Sequence, residues 1–571
     1  MQSGFERDVG HGDKEMKKDI LENKLYLYLT EFFSGMGVMA VELGASRLLA
    51  PYFSSSQIVW TIIIGTIMIA MALGNIYGGR SADINPSPEI LYRRLVIAAV
   101  WISAIPVLGK YIIILISGVL VFTISTNFLI IAAFLACMVI FVFPLFLLGT
   151  VTPSLAKYSV GSLDDSGKVV GQLGAANTVG SIIGTFMPTF VTIPAVGTAV
   201  TFLIFSGIIL AIGLVFFISR KTHIRLCAIA LILFTLCAIF GSSDSFAFWE
   251  PDLTYEGESI YNYLQVKEDD RSVRLSTNVL FGVQSITMKT DELTGMYYDY
   301  AMAAPVIAGI SPDGKPADIL ILGMGTGTYA RQCSRYFPGI NVTGVEIDRK
   351  ITDLSYRYFD ALPEVPVYTY DGRAYLQTVS DKYDIIMVDA YQDISIPFQM
   401  SSVEFFREVY DHLNDNGVMV VNMNMHSDVE GNINEYLSDT IASVFPSVAI
   451  VDVPGSTNRE LFAIRGGSVE PDVDSVDSVK NVKTVGSDDI LARFDAGLDN
   501  ITMNDELNQL MLNIRSVTNV YKGGDHIFTD DKAPVELLGM KEIDRMISEE
   551  LSFYKTVFED EGIGGVLGMF I

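Results

Sequence analysis

Four groups of residues in the second half of the chain have types and spacings suited to chemistry on a nucleoside-bearing substrate. The apolar run Ala317-Asp318-Ile319-Leu320-Ile321-Leu322 passes into Gly323-Met324-Gly325-Thr326-Gly327-Thr328, a strand feeding a glycine turn. Such glycines let backbone approach a ligand closely. A second strand, Val342-Thr343-Gly344-Val345-Glu346, ends in an acid 23 residues after Gly323, and an acid there can accept both hydroxyls of a ribose. A dinucleotide fingerprint would want a third glycine at position 328, where Thr stands. Gly323, Gly325 and Gly327 therefore fit a cofactor of the adenosyl-sulfonium class better than NAD. Asp371, in Tyr370-Asp371-Gly372-Arg373, follows a third strand and can accept from an adenine amino group. Asp389 ends the apolar run Tyr383-Asp384-Ile385-Ile386-Met387-Val388, at the edge where open α/β sheets bind ligands. It is the candidate general base, with a helix cap or solvated strand end as the alternative.

These residues need a doubly wound sheet to position them. The chain is predicted α/β from residue 301 to 571, preceded by a small antiparallel sheet over 258–300, where Tyr261–Val266 and Val279–Val283 alternate as strands do. The acidic stretch near 467–490 reads as a solvated insertion. A polar linker, 243–257, separates all of this from an apolar first half.

That first half predicts a membrane domain over 25–242, behind a polar tail at 1–24 that is unlike a cleaved signal peptide. Span-sized runs lie near 25–50, 57–79, 170–196, 197–219 and 224–242, at about 20 residues per crossing. Residues 95–156 carry Lys110 as their one charge and hold two long helices or three short ones, giving seven or eight in all. With seven, the positive-inside rule puts the acidic half outside; with eight, it lies inside but against that rule. The chemistry favours the cytoplasmic side of a multi-pass protein of the cell membrane. Glu31, Glu42, Arg47 and Asn177 are polar positions within spans, either a path for a cationic solute or glue between helices. Gly171, Gly174, Gly180 and Gly184 fit close helix packing.

Residues 1–250 hold 15 Lys+Arg against 14 Asp+Glu, and residues 251–571 hold 24 against 52. The acidic half repels nucleic acid and attracts a cationic substrate. Four cysteines without metal spacing, and five scattered histidines, indicate neither a disulfide framework nor a metal site.

The run from Glu258-Ser259-Ile260-Tyr261-Asn262 through Gly323–Gly327, Glu346, Asp371-Gly372 and Asp389 resembles spermidine synthase, a polyamine aminopropyltransferase of the class I methyltransferase-like (Rossmann-like) fold. Glu42-Leu43, Arg47-Leu48-Leu49-Ala50-Pro51, Val59-Trp60-Thr61, Asn177-Thr178 and Thr529–Glu536 are similar to the membrane-fused major-facilitator/spermidine synthase type. The resemblance implies that Asn262, Gly323, Gly325, Gly327, Glu346, Asp371 and Gly372 hold decarboxylated S-adenosylmethionine, with no metal. It implies that Asp389 is catalytic and that Asp299 and Asp393 help hold a polyamine. The soluble enzymes place a second Asp three positions after the catalytic one; here that position is Gln392, with Asp393 one residue late, and Tyr298 stands where His is usual. The expected function is membrane-bound transfer of an aminopropyl group to a diamine such as putrescine, with the bilayer as a partner and a homodimer implied. The alternatives are an S-adenosylmethionine-dependent methyltransferase, or a transporter or sensor with a non-catalytic ligand-binding domain.

Overall fold

The computed structural model describes residues 23–562, apart from 54, 125–126, 160–165, 243–245, 247–249, 251, 278–282, 312–315, 391–395, 428, 467–488, 503, 551, 553–554, 558–559 and 561. Asp393, nearly all of the 1–24 tail, most of the expected strand Val279–Val283 and most of the acidic stretch lie outside the described residues. The end of that stretch corrects its reading as wholly solvated: residue 489 opens the helix Asp489–Leu498, and Ile490 is buried.

The apolar half is a bundle of α1 (Lys24–Phe53), α2 (Gln57–Ile84), α3 (Pro88–Thr123), α4 (Phe128–Gly149), α5 (Val151–Ser159), α6 (Ser166–Met187), α7 (Ile193–Arg220) and α8 (Ile224–Phe240). Among the described residues, five segments are long and apolar enough to cross a membrane, the last being Ser166–Arg220, which runs through α6 and α7; α8 is a shorter apolar helix. The charge-poor stretch after residue 95 resolves into two long helices and the nine-residue α5. Its break coincides with the polar residues before α4, where Asn127 takes a left-handed φ of 54°.

Small residues set the helix spacing. A Cβ on Gly180 would lie 1.9 Å from the Phe32 carbonyl oxygen, and one on Gly184 2.2 Å from that of Met36, so α6 lies backbone to backbone on α1. Gly171 and Gly174 face open space and take no part in that contact. Glu31 ties α1 to both α5 and α6, accepting from Thr152 at 2.5 Å and Asn177 at 2.9 Å. That contact fits the glue alternative for Glu31 and Asn177, whereas Arg47 reaches the Ile260 carbonyl of the second half.

The second half begins with an antiparallel sheet, β1 (Tyr255–Glu258), β2 (Tyr263–Glu268), β3 (Ser272–Ser276) and β4 (Ser285–Met288), in that spatial order. The main sheet follows, with β5 (Ala317–Leu322), β6 (Ile340–Glu346), β7 (Val367–Thr369), β8 (Tyr383–Val388), β9 (Leu413–Met423), β10 (Ser447–Asp452), β11 (Arg459–Ile464) and β12 (Asn519–Tyr521). Its order is β12-β10-β11-β9-β8-β5-β6-β7. Strands β7 to β9 are parallel, while β11 runs antiparallel to β9 and to β10. A mixed sheet of this order, with helices on both faces, is the methyltransferase-like Rossmann arrangement. The first strand, β5, lies between β6 and β8, so the chain reverses direction across the sheet there and leaves a crevice at its carboxyl end.

The two halves meet at one end of the bundle. Tyr52 donates to the Phe246 carbonyl at 2.6 Å, and Glu536 in the C-terminal helix Val535–Glu550 accepts from the Gln57 backbone N–H at 2.8 Å. Lys24, Arg80, Arg93, Arg94, Lys157, Lys168, Arg220 and Arg225 lie at or near the opposite helix ends.

Candidate active site

The glycine turn after β5 is left-handed at three positions, with φ of 89°, 54° and 84° at Gly323, Gly325 and Gly327. A side chain is excluded twice over at Gly323, because a Cβ there would also lie 2.4 Å from the Asp389 carbonyl oxygen. The turn is pinned by the Gly323 and Met324 N–H groups, both donating to the Val345 carbonyl at 2.9 Å.

Glu346, at the end of β6, is buried. One carboxylate oxygen accepts from the Gly325 N–H and the other from the Asp348 N–H, each at 2.9 Å. Burial pushes this carboxyl up to about 7, while those backbone donors pull the other way. An oxygen with one backbone partner keeps a lone pair for a second donor, which is what a pair of ribose hydroxyls needs. Asp371 caps the helix Gly372–Thr378, accepting from Ala374 N–H at 2.9 Å, and also lines the cavity; the capping and ligand-facing roles coexist.

Asp389 follows β8. Its Oδ1 accepts from Asn422 Nδ2 at 2.8 Å and its Oδ2 from the Tyr297 hydroxyl at 2.7 Å. Burial pushes its carboxyl up to about 7; the two hydrogen bonds oppose the rise and the Glu346 charge adds to it. A carboxyl poised near neutrality, with its orientation fixed at both oxygens, suits a general base.

One cavity joins these groups. It encloses about 1060 Å³, its open mouth included, and is lined by Tyr261, Asn262, Gln284, Ser285, Tyr297, Tyr298, Gly323, Gly325, Glu346, Asp371, Gly372 and Asp389, among others. Gly327 is not on its wall; it opens the helix Thr328–Tyr336 instead. The expectation that Asp299 faces a polyamine is corrected. Its buried carboxylate accepts from Thr294 Oγ1 at 2.8 Å, Gly295 N–H at 2.7 Å and Gln332 Nε2 at 2.5 Å, and it does not line the cavity. It braces a turn, and its helix neighbours Tyr297 and Tyr298 face the site.

Tyr298 entered the sequence reading only as a departure from the usual His, and Ser285, Asn422 and Glu460 did not enter it. Tyr298 shares a 2.8 Å hydrogen bond with Ser285 and packs against the Tyr297 ring at 4.0 Å between centroids. Asn422 and Glu460 are direct partners across β9 and β11. Glu460 is fully buried, neither of its oxygens has a hydrogen-bond partner among the described residues, and burial with the Asp389 charge pushes its carboxyl well above the ordinary range. One of the five histidines sits between two acids. His526 Nδ1 lies 3.4 Å from Asp439 and 3.6 Å from Glu435, a brace far along the chain from the cavity residues.

The family model for the spermine/spermidine synthase domain matches residues 304–461. Among curated proteins, a probable polyamine aminopropyl transferase of Bifidobacterium longum is 51% identical over 367 residues, covering 62% of this chain and 78% of that protein. The polyamine aminopropyltransferase 1 of Aquifex aeolicus is 27% identical over 205 residues, covering 34% of this chain and 69% of its own. Among solved structures, a probable spermidine synthase of Corynebacterium glutamicum aligns at a TM-score of 0.32 with 21% identity, over 43% of this chain and 85% of that one. Identity of that extent to the Bifidobacterium protein, over 78% of its length, decides the assignment: the chain belongs to the polyamine aminopropyltransferase (spermidine synthase) family.

Proposed function

We propose that this protein is a membrane-bound aminopropyltransferase that moves the aminopropyl group of decarboxylated S-adenosylmethionine to a diamine such as putrescine, giving spermidine and methylthioadenosine. The observation that carries this reading is Asp389, held at both oxygens by Tyr297 and Asn422 on the wall of the cavity that Gly323, Gly325 and Glu346 also line. The fit to an adenosyl group rests on the bare backbone at Gly323 and on the free lone pairs of Glu346. Asn262, Asp371 and Gly372 complete the co-substrate wall, and Asp393 remains a candidate for the far end of the amine.

An ammonium group cannot act as a nucleophile, so its proton must leave first. Asp389 takes that proton, the amine nitrogen forms a bond to the carbon beside the sulfonium, and the carbon–sulfur bond breaks with its electron pair going to sulfur. Tyr297 and Asn422 fix the base, and the cavity wall keeps nitrogen and carbon in line, which supplies much of the remaining acceleration. The apolar helices anchor the enzyme in the cell membrane, and we place the catalytic half on the cytoplasmic side because its co-substrate is made there.

The test is calorimetric binding of decarboxylated S-adenosylmethionine against S-adenosylmethionine to the detergent-purified protein, each followed by putrescine and product analysis. Tighter binding of the decarboxylated form with methylthioadenosine release is expected. Tighter binding of S-adenosylmethionine, or methyl transfer to the amine, would overturn the reading.

A further inference from the structure

We propose that the membrane helices complete the co-substrate site: Arg47 of α1 and Thr198 of α7 hold the strip 258–262, whose Tyr261 and Asn262 form part of the cavity wall. This rests on the aminopropyltransferase reading of that cavity and adds a positioning role for the apolar half.

The strip is held from below by side chains of the bundle. Glu258 accepts from both the backbone N–H and the hydroxyl of Thr198, each at 2.7 Å. Those donors are available because the helix is broken just before them, at Gly197, which takes a φ of 82°. Arg47, half-buried on α1, donates its guanidinium to the Ile260 carbonyl and lies in the field of Glu258 and Asp348. The strip is then wired to the ribose-reading acid. Ser259 Oγ donates to Asp348 at 2.6 Å, Asn262 Nδ2 reaches the same oxygen at 3.2 Å, and the Asp348 N–H donates to Glu346 at 2.9 Å. Ser259 Oγ also accepts from the Asn262 N–H at 2.8 Å, closing a tight turn.

Charge explains why a cation is needed there. Glu258, Asp348 and Glu346 bring three carboxylates toward one turn, and like charges in a partly dry environment repel strongly. Arg47 offsets two of them and fixes a carbonyl that would otherwise be free to swing the turn away. Gln57 and Glu536 also join the two halves, and neither lines the cavity. The two halves could be joined without Arg47, so its place under the strip needs another reason.

The experiment compares full-length Arg47→Gln, Arg47→Lys, Thr198→Val and Glu536→Gln with the wild type in detergent. Readouts are KM for each substrate, kcat, and calorimetric binding of methylthioadenosine. For Arg47→Gln the KM for decarboxylated S-adenosylmethionine should rise about tenfold to a hundredfold, the range set by losing a charged hydrogen bond. The kcat and the amine KM should stay within about twofold. Arg47→Lys should recover part of the loss, Thr198→Val should move the same constant by a smaller factor, and Glu536→Gln should leave it unchanged. A role in docking alone would lower the yield of folded protein and leave the KM of the active fraction as in the wild type. That result overturns the proposal, as does an equal shift in Glu536→Gln. Should Arg47→Gln not fold, Thr198→Val carries the test. If the wild type itself fails to bind methylthioadenosine, the reading of the cavity fails; if the wild type and all variants bind it equally, the clamp fails and that reading stands.

Discussion

Replacing Tyr297 with Phe removes one hydroxyl and leaves the ring packed on Tyr298. That hydroxyl donates to Asp389 Oδ2 at 2.7 Å and is one of the two bonds opposing the burial that holds the carboxyl near 7. Its loss must push the carboxyl further up. A hydrogen bond to a charged acceptor contributes about 1.5–3 kcal/mol, and one pKa unit corresponds to about 1.4 kcal/mol, so the rise is about one to two units. The base is half ionised at pH 7 in the wild type and would be ionised to about a tenth or a hundredth in the variant. Activity at pH 7 should then fall about fivefold to fiftyfold and return toward wild type near pH 9 to 9.5. The assay is methylthioadenosine release at low amine concentration from pH 5.5 to 9.5, plotted as the ratio of variant to wild type so that titration of the amine cancels. A ratio that is low and flat across pH would refute the argument, since the hydroxyl would then act on the substrate rather than on the base. A ratio falling with pH would reverse the assigned sign.

Gly323→Ala should abolish binding of methylthioadenosine in calorimetry, because a Cβ would lie 2.4 Å from the Asp389 carbonyl at a φ of 89°; retained affinity would show that the turn can move. Glu460→Gln should keep wild-type activity at pH 7 while gaining thermal stability over the wild type as pH rises. The folded-state carboxyl lies well above its unfolded value, so its contribution is full at low pH and is lost progressively above about pH 4.5; a pH-independent difference in Tm would refute this. Tyr356 is 45% exposed on the catalytic half, so Tyr356→Cys should resist an impermeant thiol reagent in intact cells if that half is cytoplasmic. Labelling would follow the basic helix ends instead and would require an external supply of co-substrate. The KM for a diamine should rise with ionic strength, since residues 251–571 carry 52 acids against 24 bases, and inhibition by the uncharged product methylthioadenosine should not.

The parts of the site legible in sequence are those that one continuous segment builds. Gly323, Gly325 and Glu346 sit within a strand–turn–helix–strand unit whose geometry is local, so spacing alone carries them. Asp389 follows because a buried strand ending in an acid has its end at the crevice. Asn422 and Glu460 come from β9 and β11, whose antiparallel register brings them together, and nothing in their spacing announces it. Asp299 was misread for a geometric reason. In the helix Tyr297–Ala301, residues two apart point about 200° from each other, so a face that gives Tyr297 to the cavity turns Asp299 away. In the apolar half, hydropathy located the helices but not their contacts. Gly180 and Gly184 pack on α1 while Gly171 and Gly174 do not, a distinction set by where two helices cross rather than by residue type.

The three carboxyls at Glu346, Asp389 and Glu460 share one physical condition. Each is raised by burial, and two of them raise the cost of ionising the next: Glu346 acts on Asp389, and Asp389 on Glu460. A site so built is poor at holding its own negative charge and is relieved by a cation. The proposed reactants bring that relief twice, through the sulfonium and through the ammonium of the diamine. The transfer then moves positive charge from sulfur to nitrogen and leaves methylthioadenosine uncharged beside Glu346. The electrostatic hold on the nucleoside therefore weakens in the step that makes it the product, while the proton left on Asp389 lowers the attraction for the polyamine. The same burial that tunes the base also loosens both products, and the raised carboxyl of Glu460 resists adding a third negative charge to the site.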